Sequence, residues 1–245
     1  MTMKGEDAVL RALREQDALI AAQGSAIWVG AEPTFTDRFS TDPQWHGQAL
    51  GRGKEVRGRA LAAALAAATP GCALLRTLGR LYPGEQDRRW SYGLLSRRDG
   101  AALWSGPPDP LLGGAGADAR TLAGFAAALS EGLPVRGWSG FGLAADAPWE
   151  HRLVLCGDGR AITPSLGADP RLRRPSAHAR GADPGATCDG LAAEGWYLLI
   201  ISLLEEAGQG YAALELPHLG NEERVLALLG LVGDAAAAAG LDGLI

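Results

Sequence analysis

The chain alternates between helix-period and strand-period stretches of apolar residues. From Glu6 to Gln23, Val9, Leu13, Gln16 and Ile20 share one face of a 3.6-residue period, with Leu10 and Ala12 beside it. Arg11, Arg14, Glu15 and Asp17 point elsewhere, so the pattern predicts an amphipathic helix with one buried face, stopped by Gly24. Ala26–Gly30 is a short apolar run and reads as a buried strand. The polar loop AEPTFTDRFSTDPQW follows, broken at Pro33 and Pro43. Glu55–Ala68, rich in alanine, predicts a second helix ended by Thr69-Pro70-Gly71. Ala73–Leu81 and Trp90–Leu95 read as strands. Arg97-Arg98-Asp99-Gly100 then reads as a hairpin-type turn into a strand at Ala101–Trp104.

Ala117–Ser130 predicts a third helix, with Leu122, Phe125 and Leu129 along one side. The stretch 157–190 is rich in proline and glycine, carries the basic run Arg171-Leu172-Arg173-Arg174, and reads as a long loop. It divides the chain into an N-terminal α/β portion, 1–156, and a strand-strand-helix portion, 191–245. In the latter, Tyr197–Leu204 and Tyr211–Leu216 are strands about Gly208-Gln209-Gly210. Asn221–Ala239 is a helix with Asn221 as N-cap, Glu222 and Glu223 at its positive end, and Gly240 as its stop. Leu241–Ile245 opens what reads as a further strand. Hairpin-like strand pairs alternating with single helices predict an α+β fold, with an antiparallel or mixed sheet flanked by helices.

Composition narrows the class. Hydrophobic residues make up 47% of the 245, enough to fill the core of one large domain or two small ones. The 23 basic and 28 acidic residues leave a net charge of −5, which argues against binding to a nucleic-acid backbone. Cys72, Cys156 and Cys188 form no CxxC pair and read as buried free thiols. The N-terminus, MTMKGEDAVLRALREQ, is charged where a signal peptide is apolar. The longest apolar segment, Trp196–Leu204, is too short to span a bilayer. A cytoplasmic protein with neither nucleic-acid nor membrane partners is expected.

Familiar phosphate motifs fail on inspection. Gly51-Arg52-Gly53-Lys54-Glu55 lacks a P-loop's first glycine, since position 48 is Gln, and its hydroxyl, since position 55 is Glu. A dinucleotide fingerprint fails because the third glycine, Gly58, comes two residues late. The segment is either a helix-entry turn or an anion cradle on free backbone N–H groups. His46, His151, His178 and His218 are scattered, and no serine lies in a G-x-S-x-G turn.

Two dense polar segments remain. In Gly30–Trp45, Glu32 and Asp37 follow an apolar strand, with Thr34, Thr36 and Arg38 as donors. Carboxylates so placed suit magnesium, although a capped surface loop has the same composition. In Leu81–Trp90, Glu85, Asp87, Arg88 and Arg89 lie between a Pro-Gly turn and a tryptophan. There Arg89 either clamps a carboxylate or phosphate, or closes a local ion pair.

These segments carry a resemblance. VGAEPTFTDRFSTDPQW, ALGRGKE and LYPGEQDRRWSYGLLSRRDGAALW resemble a bacterial family of transglutaminase-associated proteins described as amidoligases with a glutamine-synthetase-like fold. The likeness is most specific over 27–104, loose over 134–190, and returns at 197–241. It implies ATP-dependent joining of a carboxylate to an amine, with magnesium and ATP as cofactors. The implied substrate is a carboxylate-bearing small molecule or peptide, and the implied partner a transglutaminase-like or ligase protein. Glu32, Glu85 and Arg89 would then be catalytic, Lys54 and Arg38 would contact phosphates, and Glu32 and Asp37 would hold the metal. Two departures stand out. The family's Glu-Pro-Arg segment corresponds to Leu204–Ala207, without the arginine, and its later acidic segment falls beyond Ile245. The chain thus reads as a fragment or shortened homologue with an incomplete sheet. The alternative is a non-catalytic binding or scaffolding module for such a partner.

Overall fold

The computed structural model describes residues 3–29, 37, 39–48, 50–78, 90–109, 115–143, 148–157, 195–206 and 208–245. Four helices appear among them: α1 (Met3–Ala22), α2 (Arg52–Ala68), α3 (Ala119–Gly132) and α4 (Glu222–Ala238). The strands are β1 (Ile27–Val29), β2 (Ala73–Leu78), β3 (Trp90–Arg97), β4 (Ser139–Leu143), β5 (Glu150–Cys156), β6 (Trp196–Glu206) and β7 (Gln209–Glu215). They form two antiparallel sheets, ordered β1-β3-β2 and β4-β5-β6-β7. The α+β class expected from the sequence is the one observed.

The main core lies on one face of the four-stranded sheet. Leu153 and Leu155 of β5 and Tyr197, Leu199 and Ile201 of β6 alternate onto that face. They meet Leu122, Phe125 and Leu129 of α3 and Leu228, Leu231 and Val232 of α4. Phe125, Leu122 and Leu129 are fully buried, at roughly 1.5–3 kcal/mol apiece. The intervening residues Val154, Cys156, Trp196, Leu198 and Ile200 are buried on the opposite face. These central strands therefore read as continuous apolar runs rather than as alternation. β4 and β5 were not foreseen. In β4 two glycines interrupt the apolar signal, and Gly140 has a packing reason: a β-carbon there would lie 2.4 Å from Leu133 Cδ1.

Helix α4 also serves the three-stranded sheet. Its Leu229, with Val225 and Leu226, packs against Ala73, Leu95, Ile27 and Leu103. Asn221 caps α4 through a 2.9 Å bond from the Arg224 N–H, as expected. Glu222, in the first turn, accepts the Ala26 N–H at 2.6 Å and so ties β1 to the helix.

Several expectations are corrected. Among its described side chains α1 buries no face: Val9, Leu10, Leu13, Leu19 and Ile20 are all exposed, and Asp17 reaches the body of the protein through an ion pair to Arg98 (2.5 Å). The Ala26–Gly30 run, expected as a buried strand, gives the edge strand β1, in which Ile27 is only half-buried. α2 starts at Arg52, so Gly53 and Lys54 lie inside its first turn. Ala101–Trp104 forms no strand, because the Leu103 and Trp104 N–H groups both donate to the Gly71 carbonyl (2.7 and 3.0 Å). Leu241–Ile245 is not a strand either, although Ile245 exchanges two 2.9 Å backbone bonds with Ala212 and Leu214 of β7. Cys156 is buried and free; Cys72 is free but half-buried. Apart from Gly157, the segment 157–190 lies outside the described residues. Among the described residues, no helix is long and apolar enough to cross a membrane.

Candidate functional site

The register of the three-stranded sheet orients the two motif segments. Val29 pairs with Leu95 and Leu78 with Trp90, both antiparallel to β3. The chain therefore leaves β1 and β2 toward the end of the sheet at which β3 begins. Glu32, Arg38, Glu85 and Arg89 lie outside the described residues, as does the expected convergence of Glu32 with Glu85. Asp37 and Lys54 are described, and both are engaged locally. Asp37 accepts the Phe39 N–H at 3.1 Å and faces Arg57 at 3.4 Å. The Arg57 guanidinium stacks 4.6 Å above the ring of buried Trp45. Lys54 Nζ donates to the Gln48 carbonyl at 2.7 Å.

The glycine-rich entry to α2 is a packed turn. Gln44 Oε1 accepts the Gly53 N–H at 2.7 Å, occupying a donor that an anion would need. β-Carbons at Gly51 and Gly53 would lie 2.6 Å from Gln44 Cβ and 2.7 Å from Gln44 Oε1, respectively. These glycines admit the Pro43–Trp45 turn against the helix, so the helix-entry reading of this segment is the one the structure favours.

A second polar cluster sits between α2 and the sheet, and the sequence reading missed it. Arg76 of β2 lies opposite Tyr92 of β3. Glu55 of α2 accepts from Arg59 Nη2 at 2.8 Å and faces Arg76 Nη2 at 3.7 Å. The Arg76 guanidinium also lies 5.8 Å from the ring centre of Trp90, which meets Tyr92 edge-on at 5.3 Å. The Tyr92 hydroxyl is buried and lies beside the Arg59 side chain, which can donate to its oxygen, while its own proton has no acceptor. Burial raises its pKa, against the opposing pull of the nearby Arg76 and Arg59 charges. The phenol therefore stays protonated at neutral pH and is an unspent donor. Glu55, Arg59, Trp90 and Tyr92 are half-buried, where charge–charge interactions are less screened than on an open surface, and Arg76 is more exposed.

One signal could have revealed this cluster. Arg76 interrupts the apolar run ALLRTL, and a charge inside a strand pattern faces something that pairs with it. Among the described residues, no three His, Cys, Asp or Glu side chains gather as a metal cage. A shallow depression at the start of α3 is lined by Asp118, Thr121 and Gln209, but Asp118 is spent capping Thr121.

Comparison with known proteins gives a family match. A family model described as "Putative amidoligase enzyme" matches residues 6–136, more than half of the chain. That stretch contains the α2 cluster and both motif segments. No curated protein and no solved structure matches.

Proposed function

The chain belongs to this amidoligase family, and from that premise we propose that it is an ATP-dependent carboxylate–amine ligase acting on a carboxylate-bearing small molecule or peptide. The observation that carries the reading is the pair Arg59 and Arg76, bracketing Glu55 beside the buried Tyr92 hydroxyl. The cluster lies within the matched stretch, on the sheet whose β3-starting end the motif segments leave.

Such a ligase first moves the γ-phosphoryl group of ATP onto a carboxylate oxygen, releasing ADP. The amine nitrogen then attacks the acyl carbon, phosphate leaves, and a base takes the nitrogen's proton. Fixed cations aimed at the transferring oxygens supply most of the catalysis. Arg59 and Arg76 are placed to supply positive charge, with Glu55 holding both guanidiniums in orientation. Tyr92 donates its hydroxyl to a phosphoryl or carboxylate oxygen. Lys54, Arg38 and Arg89 are further phosphate contacts in this reading. Glu85 either orients Arg89 or adds a metal ligand. Magnesium needs only one or two protein carboxylates beside water and phosphate oxygens, and half-buried Asp37 with Glu32 supplies carboxylates of that kind. Bound there, the ion would neutralise phosphate charge.

The exposed apolar row on α1 favours a second reading, in which the protein is a binding module for a ligase or transglutaminase-like partner. Nucleotide binding separates the two. Magnesium ATP at 100 times its Kd stabilises the native state by about 2.7 kcal/mol, a rise of several degrees in Tm. Glu32→Gln and Arg76→Gln should each remove most of that rise, while Glu15→Gln on exposed α1 should leave it intact. A wild-type Tm unmoved by millimolar nucleotide would overturn the ligase reading.

A further inference from the structure

Among the described side chains of α1, only Asp17 is half-buried; the rest are exposed. Its carboxylate pairs with Arg98 at 2.5 Å. Leu10 and Leu13 stand seven and four residues before Asp17, and Ile20 three after it, so all share its side of the helix. The ion pair turns that side toward the body, yet the three remain 46%, 56% and 39% exposed. A helix laid along the body would have buried them. α1 therefore meets the body at Asp17 and stands clear on either side of it. The foot of the helix, in contrast, is fixed. Ser25 and Ala26 donate to Glu222 at 3.3 and 2.6 Å, and the Ala26 carbonyl accepts the Arg98 N–H at 2.9 Å. Between foot and helix lies Gly24, at a φ of 85° with open space around it. Arg98 thus clamps the foot through its backbone and the helix through its guanidinium.

We propose that α1 is a hinged arm, latched to the body by the Asp17–Arg98 ion pair and pivoting at Gly24. Latched, the arm holds its apolar row in a fixed place beside the turn that follows β3. Released, it swings about the pinned foot and carries the row with it. Elements that bury little apolar surface lie at the low-stability end of a fold, so breaking one ion pair is enough to free this one. The latch is electrostatic, and ionic strength therefore sets how free the arm is. Both partners are partly buried, with side chains 29% and 16% exposed, so the pair holds at moderate salt. It yields near 1 M, where screening acts over about 3 Å. This device is independent of what the Glu55–Arg76 cluster binds.

The test measures N–H residual dipolar couplings of the full chain, which average over motions on the timescales of a swinging arm. At about 0.1 M salt, the couplings of α1 in wild type should fit the same alignment as those of β5 and β6. Asp17→Arg sets two like charges against each other, and arginine is a good helix former, so the arm opens while the helix persists. The α1 couplings should then shrink by about half or more against β5 and β6, as for a segment moving independently of the body. Raising salt to about 1 M should shrink them progressively in wild type. Asp7→Arg makes the same charge change at an exposed position of α1 and should behave as wild type. In every variant unchanged couplings in β5 and β6 show that the body has kept its fold. Wild-type α1 couplings in Asp17→Arg would overturn the proposal, because other contacts would then hold the helix. So would α1 couplings already averaged in wild type at low salt, or couplings that salt leaves unchanged.

Discussion

Gly58 of α2 lies against Trp90 of β3: a β-carbon at position 58 would stand 3.2 Å from Trp90 Cη2. The same carbon would be 3.7 Å from Tyr92 Cε2, in ordinary contact. The bare backbone thus lets α2 settle onto the strand, which brings Glu55, one turn earlier, within reach of Arg76. Gly58→Ala should be close to neutral, since about 1 kcal/mol of helix propensity offsets the squeeze on the ring. Gly58→Val should cost about 1–3 kcal/mol by lifting the helix, and should weaken nucleotide binding as Glu55 leaves Arg76. Thermal melts with and without magnesium ATP read both effects. A valine variant as stable as wild type would show that the helix does not rest on Trp90.

The exposed α1 predicts a contrast between two apolar positions. Leu13→Gln, at a residue 56% exposed, should change stability by no more than about 0.5 kcal/mol. Phe125→Ala, at a residue with no exposed surface, should cost about 3–5 kcal/mol. Chemical denaturation measures both. A large loss at Leu13 would mean that α1 packs against something in solution.

Glu222 joins two parts of the fold, and its removal should be felt in both. Glu222→Ala leaves the Ala26 N–H and the Ser25 hydroxyl without the carboxylate and should cost about 1.5–3 kcal/mol. Glu222→Gln keeps an acceptor and should recover most of that loss. Faster hydrogen exchange at Ala26 in the alanine variant would locate the effect, and an unchanged rate would refute it.

His151 should make stability depend on pH. Burial lowers its pKa below the ordinary 6.5, and its Nε2 has no partner. The neutral ring is therefore favoured in the fold. This contribution is complete above 6.5, the unfolded value, and declines as pH falls from there toward the folded pKa. Tm measured from pH 7.5 to 5 should fall more steeply in wild type than in His151→Gln. Parallel curves would exclude His151 as the source.

The sequence by itself determined the elements that local rules govern. The Asn221 cap, the α3 stripe of Leu122, Phe125 and Leu129, the apolar run of β6 and the stop at Gly240 follow from periodicity, capping and glycine's access to positive φ. The motif segments were legible too, because polar residues massed between apolar runs stand out in one dimension. Tertiary structure decided whatever depends on a distant partner. α1 has the pattern of a buried helix, yet nothing among the described residues covers its apolar row. β4 and β5 pair because Leu133 fills the space that Gly140 leaves. Ala101–Trp104 follows a hairpin-type turn but bonds back to Gly71 instead of β3. The cluster of Glu55, Arg59, Arg76 and Tyr92 draws on three elements up to 37 residues apart in sequence. No local pattern marks such a gathering, because it arises only when α2 lies across the hairpin of β2 and β3.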